Sequence, residues 1–307
     1  MPDAHIQKDP RRGGRGTVGG RSRRMDGGKR EEERERRLSR GRFQGIEDMI
    51  GFFGAGKMAE GILSAMPSAG DVLMAEKNAA RAEDLRVRLG VPVTGDVREV
   101  AKKADLIFLA VRPQDVDAVA EETRPLLTEA QTLVSIVAGK TLAKLRAAFG
   151  PRVHLVRVMP NLALRAKAGM CAICPGAHTP TEAVARVKRI LDGAGETVVL
   201  EEKAFDAVTA LSGSGPAYFA YMEEAMAEGG VQLGLPPAVA RLLAEQTMYG
   251  TAKFLRESGV ELKAFIAGVC TKGGTTAAGM ERLQNPEFKR IVADTLAAAA
   301  KRSEELA

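Results

Sequence analysis

The chain has 307 residues, 45% apolar, 27% charged and 4% aromatic, with no tryptophan. At about 100–200 residues per domain this is material for two domains with cores of Ala, Leu, Val and Met. The net charge of +6 is concentrated at one end: residues 1–48 hold 14 Lys/Arg against 9 Asp/Glu, leaving 31 against 30 in the rest, which excludes a broadly cationic nucleic-acid-binding body.

Residues 1–48 are rich in Gly and Arg and poor in apolar side chains. Such a segment cannot offset its ordering entropy by burial, so a disordered tail without catalytic duty is expected, and its removal is expected to leave turnover intact. No run reaches the roughly 20 apolar residues of a membrane span. Three cysteines form no disulfide framework and suit a reducing compartment. Cys171-Ala-Ile-Cys174 lies in an apolar stretch and is expected to be buried packing, and no spacing of His and Cys points to a metal. The expected location is the cytoplasm, with neither membrane nor nucleic acid as partner.

At Met49 the pattern changes. Met49–Phe53 is a short apolar run, followed by Gly54-Ala55-Gly56-Lys57-Met58-Ala59 and a helical pattern with Met58, Ile62 and Met66 on one face. Strand, G-x-G-x-x-A turn and helix in this order suit a dinucleotide: one glycine for the tight turn, one for backbone approach to pyrophosphate, and the helix N-terminus facing phosphate charge. A second strand, 71–75, leads into Glu76-Lys77-Asn78, with Glu76 22 residues after Gly54. An acidic residue there suits a ribose hydroxyl, whereas the cation beside it suits a 2′-phosphate, so NAD and NADP both remain open.

Further strands are predicted at Val91–Val93, Ala104–Val111, Thr132–Ala138, Val153–Val158 and Thr197–Leu200, with helices between them. Continuous apolar runs separated by helices predict a Rossmann-like, doubly wound parallel sheet over 49–200. Ligands should gather at the strands' carboxyl ends, at Ala110-Val111-Arg112-Pro113, Ala138-Gly139 and Met159-Pro160-Asn161.

From Glu201 the period becomes helical, predicting an all-α domain over 201–307. Ser212-Gly213-Ser214-Gly215-Pro216 starts a long helix expected to bury Tyr218, Phe219, Met222 and Met226. Helices at 238–258 and Leu262–Val269 follow, and apolar residues on several faces predict a helix-mediated homodimer. Thr271-Lys272-Gly273-Gly274-Thr275-Thr276 then precedes another helix. Exposed N–H groups, two hydroxyls and a positive dipole end suit a small anion such as a carboxylate.

In combination, Gly51–Gly56, Ala110–Gln114, Arg157–Asn161, Phe205–Tyr218 and Gly273–Thr276 resemble the pyrroline-5-carboxylate reductases over about five-sixths of the chain. The resemblance implies an oxidoreductase passing hydride from NADPH, or from NADH, to the C=N carbon of 1-pyrroline-5-carboxylate, giving L-proline in the last step of its biosynthesis. It implies that Phe53, Gly54, Ala55, Gly56, Lys57 and Met58 cradle the pyrophosphate, and that Glu76 and Lys77 lie at the adenosine ribose or its phosphate. Ala110, Val111, Arg112, Pro113 and Ala138 would line the nicotinamide side. Thr271, Lys272, Gly273, Gly274, Thr275 and Thr276 would grip the substrate carboxylate. Thr276 would hydrogen-bond the reacting nitrogen, with Glu202 a nearby carboxylate favouring its cationic state. It also implies an interlocked homodimer, often assembled as a decamer, with sites shared between protomers.

The sequence departs from that pattern in places. Lys57 replaces the usual amide side chain, Asp96-Val97 stands where an asparagine is common, and Lys272 replaces a proline, adding an N–H donor and a cation to the loop. Other dehydrogenases fit less well. A hydroxy-acid enzyme needs a Lys or His base on the interdomain helix, and Lys203–Glu224 offers only Lys203, outside the long helix. A protein that senses the nucleotide without turnover stays an alternative, against which the carboxylate loop argues.

Overall fold

Strand β1 (Ile50–Phe53) is buried at all four positions, as a central strand covered on both faces must be. The computed structural model describes residues 49–66 and 72–307; the tail expected over 1–48 and Asp71, the predicted start of the second strand, lie outside them. Helix α1 (Lys57–Ser64) follows the glycine turn and ends two residues before Met66, which therefore does not join its apolar face. Then come β2 (Val72–Ala75), α2 (Ala79–Leu89), β3 (Val93–Thr94), α3 (Val97–Lys103) and β4 (Leu106–Leu109). Helix α2 starts where the Asn78 side chain accepts from the Arg81 N–H, and ends at left-handed Gly90. A 3-10 turn (Pro113–Asp115) leads to α4 (Val116–Thr123), β5 (Thr132–Ser135), α5 (Leu142–Phe149) and β6 (His154–Pro160).

With two later strands, β7 (Gly169–Pro175) and β8 (Gly195–Val199), they form one eight-stranded sheet ordered β3-β2-β1-β4-β5-β6-β7-β8. The order reverses between β1 and β4, where a crevice opens at their carboxyl ends. Phe52 on β1 and Phe108 on β4 stack across that pair with ring centroids 5.1 Å apart. The core beneath is mainly aliphatic, with Val100, Ile107, Leu109, Leu127, Leu133 and Leu145 among its fully buried members beside Phe53 and Phe149.

The structure departs from a wholly parallel sheet at one place. Strand β7 (Gly169–Pro175) runs antiparallel to β6, and β8 (Gly195–Val199) follows β7 in the same direction. The link between β6 and β7 is a single 3-10 turn, Leu162–Ala166, too short for the crossover helix that a parallel return requires. Helix α6 (Thr181–Asp192) supplies that crossover between β7 and β8. Cys171 and Cys174 lie on β7, three residues apart and so on opposite faces, both buried, and cannot pair with each other. Burial pushes the Cys171 thiol up to about 12.

After β8 the chain is helical: a 3-10 turn (Glu202–Ala204), α7 (Phe205–Val208), a π-helical turn (Thr209–Gly213), α8 (Gly215–Gln232), α9 (Pro237–Ser258), α10 (Leu262–Val269), α11 (Thr275–Leu283) and α12 (Pro286–Leu306). The π turn is closed by the Ser214 N–H on the Thr209 carbonyl at 2.9 Å. Here the expected burial of α8 is corrected. Phe219 is 66% exposed and Met226 50%, and the only buried residue of that helix is Gly215. Helices α8 and α9 pack on one another, but their remaining apolar faces have nothing to cover them within one chain.

Among the described residues no helix is long and apolar enough to cross a membrane, and no cluster of three or more His, Cys, Asp or Glu side chains is placed to hold a metal.

Candidate functional site

The glycine turn follows from its surroundings. Gly54 has φ +92°, and a Cβ there would lie 2.8 Å from the Ala110 carbonyl oxygen, so only glycine fits. Its N–H donates to the Ala75 carbonyl at 3.1 Å, tying the turn to β2. Gly56 is different. It has ordinary extended backbone, and the nearest protein atom to a Cβ there is the Ala110 oxygen at 3.9 Å. Nothing in the protein demands glycine at 56; the space it leaves is on the open side. No side chain caps α1, whose first N–H groups point out of the turn.

Beside this turn, at the carboxyl ends of β1 and β4, lies a cavity of about 440 Å³. Of the predicted cofactor residues, Gly54, Ala55, Gly56, Glu76, Lys77, Ala110, Val111 and Arg112 line it. Phe53 is buried at the end of β1, Lys57 is exposed on the first turn of α1, and Met58 is half-buried beside it. Pro113 opens the 3-10 turn next to Arg112. Ala138 does not line this cavity; it lies in the loop between β5 and α5.

The electrostatics of the cavity mouth depend on residues that sequence reasoning missed. Arg81 donates to the Ala55 carbonyl at 2.7 Å and to Glu60 Oε1 at 3.0 Å, and its Nε is 3.4 Å from Glu76 Oε2. It braces the glycine turn and is itself part of the cavity wall. Asp115 accepts from Arg112 Nε at 2.9 Å and lies 3.7 Å from Lys77 Nζ. The Arg112 hydrogen bond, followed by the Lys77 charge, holds the Asp115 carboxyl below its ordinary range. Glu76 also accepts from the Asn78 N–H at 3.0 Å, so its oxygens are engaged in the turn. Lys77 is the most exposed cation there. Nothing in the polar sequence of α2 distinguishes Arg81 from its neighbours.

The second predicted group, residues 271–276, forms the loop between α10 and α11. A Cβ on Gly274 would press on Thr271 Oγ1, and the Gly274 N–H donates to the Thr271 carbonyl at 2.9 Å. Gly274 is the N-cap of α11 with no side chain capping it, so the N–H groups of Thr275 and Thr276 begin the helix unclaimed by a cap. Thr271, Lys272, Gly273, Thr275 and Thr276 are exposed. None of them lines the cavity of the sheet half. Within one chain the two predicted groups therefore stand apart, the first lining the cavity and the second outside it.

Glu202 has two partners within the chain. Its Oε1 accepts from the Leu142 N–H at 2.7 Å and from Arg157 Nη1 at 2.8 Å. Arg157 is almost fully buried, with its guanidinium carbon 4.7 Å above the Phe205 ring. A buried arginine needs a partner, and Glu202 supplies it. The signal for this pair is a charge in the middle of an apolar strand, His154–Pro160, unused by the dinucleotide pattern. At the end of that strand the Asn161 side chain accepts from the Met170 N–H at 3.1 Å and donates to Ser212 Oγ at 3.4 Å, joining β6 to the π turn.

Comparison with known proteins follows the same division. Residues 202–306 match the family described as pyrroline-5-carboxylate reductase dimerisation, and residues 49–139 match the one described as NADP oxidoreductase, coenzyme F420-dependent. A pyrroline-5-carboxylate reductase from Synechocystis is 36% identical over 84% of this chain and 97% of its own length. The solved structure of such a reductase from Coxiella burnetii is 28% identical with a TM-score of 0.80, covering 85% of this chain and 98% of that one. One from Plasmodium falciparum, solved with NADP bound, shares the fold at a TM-score of 0.75 and 24% identity, over 85% of this chain and 98% of that one.

Proposed function

Because the chain belongs to the pyrroline-5-carboxylate reductase family, we propose that it reduces the C=N bond of 1-pyrroline-5-carboxylate to L-proline with an NAD(P)H cofactor, dividing the task between the cavity and the 271–276 loop. The cavity at the ends of β1 and β4 carries the reading. Its residues fit a dinucleotide: the vacancy at Gly56 admits a diphosphate to backbone distance, and the uncapped start of α1 supplies donors and a favourable dipole. Gly54, Ala55, Gly56 and Lys57 would hold the diphosphate, with Phe53 and Met58 shaping the turn. With Glu76 occupied by Asn78 and Arg81, Lys77 is the residue available to a 2′-phosphate, which favours NADPH over NADH. Ala110–Pro113 and Ala138 would border the nicotinamide. When bound, the reduced dinucleotide supplies hydride.

The chain's own residues orient, neutralise and exclude water. The substrate carboxylate is gripped by the N–H groups at the start of α11 and by Thr271, Lys272 and Thr275. The Thr276 hydroxyl accepts from the protonated ring nitrogen, keeping the neighbouring carbon electrophilic. An imine in this state needs no further base or nucleophile, so the chemistry is mainly one of placement. Since loop and cavity share no lining residue within one chain, the loop of one protomer completes the site of its partner.

The working unit is a homodimer joined through the helical half, and five such dimers would form the larger assembly. The cytoplasm is the compartment that suits three free cysteines without a disulfide. The test is cofactor oxidation with pyrroline-5-carboxylate set against a panel of 2-oxo acids, each with NADPH and with NADH. Turnover restricted to the imine and faster with NADPH is expected. Turnover restricted to an oxo acid overturns the assignment.

A further inference from the structure

The loop between β5 and α5, residues 136–141, receives two separate supports from the helical half. On one side its last turn runs into α5, whose first N–H, that of Leu142, is taken by Glu202 Oε1 across 60 positions of sequence. The Thr141 side chain, the cap of α5, accepts only the Lys144 N–H, so Glu202 claims a donor that no local residue reaches. Glu202 is itself fixed by Arg157, and Arg157 by the Phe205 ring beneath it. Leu142 packs against the cluster to which Phe205 belongs, with Ala172 and Cys174.

On the other side, the end of the chain abuts the loop. Gly139 has φ +72°, and a Cβ on it would lie 2.8 Å from the Leu306 carbonyl oxygen, in the last turn of α12. That turn is pinned: the buried Ser303 donates through Oγ to Asp206 Oδ1 at 2.6 Å. Asp206 lies on α7, one residue from Phe205, so both supports return to the same short helix.

We propose that Glu202 and the C-terminal turn of α12 act as a clamp that positions the 136–141 loop, and that Glu202 is a positioning residue rather than a group acting on the substrate nitrogen. The proposal rests on the reading of Ala138 as a neighbour of the nicotinamide. Through this clamp the helical half that carries the substrate loop also sets the floor on which the ring lies. An orientation error of about 1 Å at this surface is enough to slow transfer by up to about a hundredfold.

The test uses the full chain with three changes: Glu202→Gln, Glu202→Ala, and removal of Leu306 and Ala307. Hydrogen exchange of the 137–145 segment, without added cofactor, is compared with NADP⁺ affinity and with steady-state kinetics across pH. The alanine variant and the truncation are expected to speed exchange of this segment by about tenfold while the strands β1 and β4 stay protected. Turnover should fall about tenfold in both, with substrate KM changing less, and the pH profile should keep its shape. The glutamine variant, which retains an oxygen for Leu142, should recover part of both losses. Unchanged exchange in the alanine variant and the truncation overturns the clamp. So does a shifted pH profile with unchanged exchange in Glu202→Gln, because that is the signature of a carboxylate acting on the substrate. Wild-type protein inert towards pyrroline-5-carboxylate sinks the functional assignment, and exchange alone then decides whether the clamp stands.

Discussion

The two halves of the molecule treat the same apolar residue types in opposite ways. In β1, β2, β4 and β5 every position is buried, and helices cover the sheet from within the chain. Across α8–α12 only Gly215, Ala240, Ala244 and Ser303 are buried, while Phe219, Tyr221, Leu242, Tyr249 and Leu262 are each more than half exposed. A large side chain contributes about 1.5–3 kcal/mol when withdrawn from water, so a face this wide is stable only when covered. The sheet half covers its own strands within the chain and encloses the cavity at the ends of β1 and β4. The helical half leaves its apolar faces open to a second copy. The match of residues 202–306 to a dimerisation family agrees with this division.

The comparison breaks most visibly at the helical face. Phe219→Glu combined with Leu242→Glu is expected to give a monomer by light scattering, with part of the far-ultraviolet helical signal lost and at least about a hundredfold less turnover. Full turnover in such a monomer would show that one chain holds a whole site. Next in size is Thr276→Ala. Loss of one oriented hydroxyl at the reacting nitrogen should lower turnover about a hundredfold, with NADPH affinity nearly unchanged. An equal loss in both quantities would place Thr276 on the cofactor instead.

Gly54→Val sharpens the contrast from the sheet side. At φ +92° and 2.8 Å from the Ala110 oxygen, the added carbons cost about 1–3 kcal/mol of strain. Calorimetry should find NADPH binding about tenfold weaker or worse, while the dimer persists. The smallest effect concerns Cys171. Its folded thiol is held up at about 12 against an ordinary value of 9.0, so the unfolded chain loses this proton first as pH rises. Stability from this group is complete below pH 9.0 and declines towards about 12. Correspondingly, Cys171 should resist alkylation in the native protein near pH 9.0 and react once it is unfolded. Rapid native alkylation at Cys171 would mean that β7 is less enclosed than its burial states.

Much of the sheet half was legible because its signals are local. A strand, a glycine turn and a helix follow one another in sequence, and Gly54, Gly56, Glu76, Lys77 and Ala110–Arg112 converge on one cavity because parallel strands bring their carboxyl ends together. The antiparallel β7 was hidden, since a short apolar run does not state its direction; the length of the link before it does. Arg81 and Arg157 were hidden for another reason. Each acts on partners 26 and 45 residues away, and no periodicity reports such a contact.

Glu202 shows the limit most plainly. The resemblance implies a carboxylate near the substrate, and the structure adds two partners that the sequence does not announce, Arg157 and the first N–H of α5. The amino-acid order by itself determined the two kinds of half, the phosphate-binding turn and the glycine-threonine loop, because each depends on backbone preferences within a few residues. Only the tertiary structure decided which charges are occupied, which way β7 runs and which apolar faces stay uncovered. Those depend on groups far apart in the chain competing for the same donors and the same surface.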